Sequence, residues 1–168
     1  MLSIKKYLPS IVYGGSDGSV SYFTLMAGAY GAGMFIKFLI AIGVSNVIAD
    51  AFSMATADYL SEDSRPKQNQ KEELKNALVT FVSFVLLGCL PLIPTIWAYA
   101  TLPSDATLPA NMFILSSALT LAGFTYIGYL RGKILNRDLG RTIMQSIFIC
   151  SVSAAVAYFI GEYVAMVI

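Results

Sequence analysis

Apolar positions form long unbroken runs in this chain, and polar positions collect between them. From Asn76 to Leu130 the only charged residue is Asp105, and from Thr142 to Ile168 the only one is Glu162. No period-two alternation interrupts the runs, so they predict helices rather than the strands of a barrel. A helix crosses the hydrocarbon layer with roughly 20 mostly apolar residues. Five such spans are expected, at about 9–31, 35–60, 77–101, 111–130 and 141–167. The fold class is therefore an all-α membrane protein with five transmembrane helices. It is a single transmembrane domain over 1–168, with one short polar loop at 61–76.

Composition supports this reading. Of the 168 residues, 57% are hydrophobic and 12% charged, whereas a soluble domain carries about 25% charged residues. A chain this short has too much surface for a large core to explain the shortfall. The net charge of +1 offers no electrostatic footprint for nucleic acid. Near the start, Lys5, Lys6 and the later Ala27-Gly28-Ala29 loosely mimic a secretory leader. Gly14-Gly15-Ser16-Asp17-Gly18 breaks its apolar stretch, so the segment is kept as the first span.

The position of the charges sets the orientation. Lys5 and Lys6 precede span one. Arg65, Lys67, Lys71 and Lys75 lie between spans two and three, and Arg131, Lys133, Arg137 and Arg141 between spans four and five. These are ten of the eleven basic residues, and with five spans all ten fall on one face. The positive-inside rule makes that face cytoplasmic, with the N-terminus inside and the C-terminus on the opposite side. Only Lys37 falls on the other face.

Ionisable groups inside a span are costly, about 2.5–3.5 kcal/mol each at mid-helix on insertion scales, and so point to function. In span two, Asn46, Asp50, Met54 and Asp58 recur at steps of four, which places them in one stripe along a helix. Asp50 is a hard oxygen ligand and Met54 a soft thioether one turn away. Together they suit a late first-row ion such as Fe²⁺ better than Mg²⁺ or Ca²⁺. The blander reading has Asp50 hydrogen-bonding between helices and Met54 filling space. Asp58 falls near the cytoplasmic end, as an interfacial residue or an ion-entry group. Asp17 is expected inside the first helix, because a helix starting at Gly18 would be too short to cross. Gly14 with Gly18, and Ala29 with Gly33, make small-residue pairs suited to close helix contact, consistent with span one meeting a symmetry mate. Pro91 and Pro94 predict a kink in span three. Glu72 and Glu73 suit the N-terminal end of the third helix. Glu162 reads as an interfacial carboxylate near the outer end of span five.

At this point the residues resemble a known family. Gly15-Ser16-Asp17-Gly18-Ser19-Val20 with Ala27-Gly28-Ala29 resembles the first helix of the vacuolar iron transporter family. Gly43-Val44-Ser45-Asn46-Val47-Ile48-Ala49-Asp50-Ala51-Phe52-Ser53-Met54 with Asp58-Tyr59-Leu60-Ser61 is similar to its second. Ala77-Leu78-Val79-Thr80-Phe81 through Pro91-Leu92-Ile93-Pro94 is similar to its third. The resemblance implies a homodimer with an ion path on the two-fold axis, exporting Fe²⁺ and often Mn²⁺ from the cytosol in exchange for protons. It implies that Asp17 and Met54 line the path. Asn46 falls where some members carry a glutamate, which leaves the proton-coupling residue open. Many members carry a long glutamate-rich metal-binding domain between helices two and three, and here that insert has shrunk to 61–76. The chain thus resembles the compact members.

The expectation is a metal transporter, not an enzyme, with metal ligands Asp17, Asn46, Asp50, Met54 and Asp58 and no resident cofactor. Its partners would be divalent metal ions, protons, the lipid bilayer and a second copy of the chain. It would be a multi-pass protein of a vacuolar or other endomembrane in a eukaryote, or of the plasma membrane in a prokaryote. The rival is a non-transporting membrane scaffold. An intramembrane hydrolase pairing Asp17 with Asp50 is a third reading, with no flanking motif to support it and no histidine in the chain to serve a triad.

Overall fold

The computed structural model of the chain describes residues 2–64, 70–103 and 105–167. Its helices are α1 (Leu2–Gly31), α2 (Ile36–Asp63), α3 (Gln70–Gly88), α4 (Leu92–Thr101), α5 (Ala110–Leu135) and α6 (Leu139–Val167). Asp17 lies within the continuous α1, as the length argument required. Arg65 and Lys67, part of the expected basic loop, lie outside the described residues.

Among the described residues, α2, α5 and α6 are each long and apolar enough to cross a membrane, and α3 with α4 adds a bent fourth candidate. The two are broken by a 45° bend. The prolines explain it. Pro91 cannot donate to the Leu87 carbonyl, nor Pro94 to that of Leu90. Those carbonyls instead accept shorter-range bonds, from the Leu90 N–H and the Ile93 N–H, each at 3.3 Å. The Pro91 carbonyl accepts the Ser116 hydroxyl of α5 at 2.9 Å, which ties the break to its neighbour.

The 30-residue α1 is not among the apolar candidates, and its place in the bundle explains why. It packs against α2, α3, α5 and α6, and Ser19, Tyr22 and Met26 are fully buried. Packed against four helices, α1 keeps a narrow exposed row of Lys5, Pro9, Tyr13 and Asp17, and small or polar residues favour its close helix contacts. Cβ atoms added at Gly14 and Gly18 would strike the backbone carbonyls of Thr80 and Phe84 in α3. This corrects one expectation: the glycine pair brings α1 against α3 of the same chain, not against a second copy. The Ala29/Gly33 pair is not a packing pair either. Ala29 is buried, whereas Gly33 turns the chain with φ +65° and has open space around it.

The bundle has two distinct ends. At one, Lys6 of α1 pairs with Glu72 of α3, and Lys5 shares a groove with Arg131 and Leu135 of α5. At the other, the Ile36 N–H donates to the Ala106 carbonyl at 2.9 Å, and Phe35 bridges to Thr107. The described basic segments therefore meet at one end, while Lys37 lies at the other.

Candidate ion-binding site

Counting from the turn between α1 and α2 sets the depth of the acidic groups. Asp17 lies fourteen residues before Gly31 and Asp50 fourteen after Ile36. At 1.5 Å per residue both sit about 21 Å from that turn, so the two acidic groups lie at the same level of the bundle. They are close enough for their charges to act on each other. Asp17 is exposed and Asp50 half-buried. Among the described residues neither has a basic partner.

The α2 stripe adjoins the helix's buried row of Ile36, Leu39, Gly43, Val47 and Ala51. Asn46, Asp50, Met54 and Asp58 are all half-buried, at the margin between core and open face. The Asn46 amide donates to Asp50 Oδ2 at 2.5 Å, which restrains the carboxylate's orientation. Met54 packs against the core one turn further on. Asp58 is held differently. Thr80 of α3 and Ser10 of α1 both donate to its Oδ2, at 2.5 and 3.4 Å. It staples three helices at the basic end and keeps Oδ1 as the oxygen it can offer a cation.

The stripe borders an open groove on the outer face of α2, lined by Ala41, Ile42, Ser45, Asn46 and Ala49. A feature missed from sequence runs beside it. Ala41, Ser45, Ala49, Ser53 and Ala57 are all exposed and recur at steps of four. The step of four is visible in the sequence, one residue before the polar row. Among the described residues, no cluster of three or more His, Cys, Asp or Glu can hold a metal ion within one chain. The polar stripe of one copy is open to the side.

At the basic end the carboxylates differ sharply. Glu72 accepts bonds from Lys6, Lys75 and Tyr7. The Lys6 bond chiefly, with Lys75 beside it, holds the Glu72 carboxyl below its ordinary range, while Glu72 raises the Lys6 ammonium. Glu73 is buried, and among the described residues neither of its oxygens has a hydrogen-bond partner. Burial first, then the charges of Asp63 and Glu62, pushes its carboxyl up.

The sequence model of the VIT family matches residues 8–74 and 62–162. The chain is similar to the vacuolar iron transporter of Toxoplasma gondii, 35% identical over 71 residues, which cover 40% of this chain and 24% of that protein. It is also similar to the vacuolar iron transporter of Plasmodium berghei, 31% identical over 78 residues, which cover 43% of this chain and 29% of that one. The aligned stretches thus span about a quarter of these curated relatives. Both names are those of transporters, not enzymes.

Proposed function

Because the chain belongs to the VIT family, we propose that this integral membrane protein carries Fe²⁺, Mn²⁺ or both out of the cytosol in exchange for protons. The observation that carries the proposal is the pairing in depth of Asp17 and Asp50, uncovered and without a base among the described residues. Carboxylates left facing hydrocarbon are costly, and two of them close together repel each other. A second copy of the chain, applied across the small-residue face of α2, removes the first problem, and a cation held between the copies offsets the second. The second copy shields the carboxylates from lipid and doubles the ligand set around the two-fold axis. Asp17 and Asp50 then supply negative charge, Asn46 a neutral oxygen and Met54 a soft sulfur. Asp58 offers an oxygen at the entrance. When the cation leaves, a proton at Asp17 or Asp50 relieves the same repulsion, so metal and proton compete for one place.

On this reading there are five spans, with α1 packed against four other helices and α3–α4 forming one bent span. The N-terminus and the basic end face the cytosol. The membrane is a vacuolar or other endomembrane in a eukaryote and the plasma membrane in a prokaryote.

The test is flux of Fe²⁺ and Mn²⁺ into liposomes carrying purified protein, with a pH dye on one side. Transport should saturate and move protons the opposite way. Asp17→Asn and Asp50→Asn should each lose on the order of tenfold or more in rate, the scale of disturbing a metal-ligand environment. Flux unchanged in both variants would reject the site. Flux absent from the parent protein would favour the scaffold reading.

A further inference from the structure

A second groove lies at the basic end, on the side of the bundle formed by α1 and α5. It has a volume of about 360 Å³. Its walls are apolar, from Leu8, Val12 and Tyr13 of α1 and Leu135 of α5, and the cations Lys5 and Arg131 line it as well. The adjacent lysines of α1 part company here. Lys6 turns to Glu72 of α3, while Lys5 faces this groove. Neither Lys5 nor Arg131 has a carboxylate partner among the described residues.

We propose that this groove binds an anionic phospholipid, with the headgroup phosphate between Lys5 and Arg131 and an acyl chain along Leu8, Val12 and Leu135. Two cations from different helices converge on an apolar channel at the end of the bundle where the basic segments gather. That is the arrangement that recognises a charged head carrying a hydrocarbon tail. A zwitterionic headgroup would place its own cation against the pair. A second copy of the chain fits poorly, because a two-fold contact through this face would set Lys5 and Arg131 near their own images. The inference rests on the bilayer placement of the bundle and not on transport, so it stands or falls separately from the metal site.

The experiment is thermal unfolding of the purified full chain in detergent micelles, titrated with phosphatidylglycerol or with phosphatidylcholine of the same acyl chains. Glycerol phosphate serves as the headgroup without a tail. Phosphatidylglycerol should stabilise the parent protein with a half-saturating concentration at least tenfold below that of phosphatidylcholine, and glycerol phosphate should give no shift. Lys5→Gln with Arg131→Gln should abolish the preference. Arg137→Gln with Arg141→Gln, which removes the same charge elsewhere at this end, should keep it. Val12→Trp leaves both cations in place and fills the groove, and should weaken the response. Equal loss in the two double variants would assign the effect to general surface charge and overturn the site. So would an equal response to phosphatidylcholine, a shift with glycerol phosphate alone, or an unaltered response in Val12→Trp.

Discussion

Glu73 sits in the first turn of α3, where the helix dipole favours a carboxylate, yet it is 2% exposed and neither oxygen is bonded among the described residues. Burial and the acidic neighbours Asp63 and Glu62 act against its charge. A carboxyl whose pKa is raised in the folded state holds its proton more tightly folded than unfolded. Stability is then gained as pH falls from neutrality through the folded pKa toward the unfolded value near 4.5. The ionised form of the group works against the fold. Glu73→Gln keeps the shape and removes the charge. It should raise the thermal midpoint at pH 7.5, with the gain shrinking as pH approaches 5. A gain that stays constant across that range would mean that charge is not the cause. Glu72, one residue earlier, behaves oppositely because Lys6 and Lys75 reach it. The pair was legible in sequence only as two carboxylates at a helix start. Which one meets a base depends on the helical rotation that sends one toward α1 and the other inward.

Among the elements, α1 depends most on backbone approach. Gly14 and Gly18 leave no room for a Cβ against α3, and Gly161 of α6 lies similarly against the Gly28 backbone on another side. Gly18→Ala should therefore destabilise the bundle by roughly 1–3 kcal/mol, the usual range for overfilling a packed contact. Gly140→Ala is the control, since its added carbon meets only the Asp138 side chain at 3.5 Å, an ordinary contact. Denaturation of both variants in the same detergent decides the matter, and an equal effect would discount the α1–α3 contact. Helix positions were legible because runs without charge have few other uses, and the bend was legible because two prolines remove two donors. The partner of α1 was not. A glycine repeat states that some backbone comes close, and only the three-dimensional arrangement says whose. For the same reason hydropathy undervalues α1, most of whose surface meets other helices. The common depth of Asp17 and Asp50 follows from counting along two antiparallel helices. Their openness to one side does not, because it depends on where α3 and α4 leave α2 uncovered.

At the scale of the whole molecule, the exposed faces are of two kinds. The outer face of α6 carries large apolar residues such as Phe148, Val156 and Phe159, which suit acyl chains. The outer face of α2 alternates Phe38, Ile48 and Phe52 with the small row Ala41, Ser45, Ala49, Ser53 and Ala57. Lipid has no need of a small-residue row at steps of four, whereas a second helix packs closely into one. The polar stripe borders that row, so a second copy packed into it, as proposed, would also close the candidate ion site. Close approach can be measured, because a disulfide forms only when Cα atoms come within about 4.4–6.8 Å. Cys150 is buried and Cys89 partly so, which keeps background crosslinking low. Ala49→Cys, oxidised in native membranes, should give a crosslinked pair of chains, and Val156→Cys on α6 should not. Bound Mn²⁺ should increase the Ala49→Cys crosslink, since a cation shared by Asp17 and Asp50 from both copies offsets their repulsion. Asp50→Asn should remove that metal response while leaving the basal crosslink. If Val156→Cys crosslinks instead, α6 is the contact face. The carboxylates of α1 and α2 would then have to be covered by something other than a second copy of this chain.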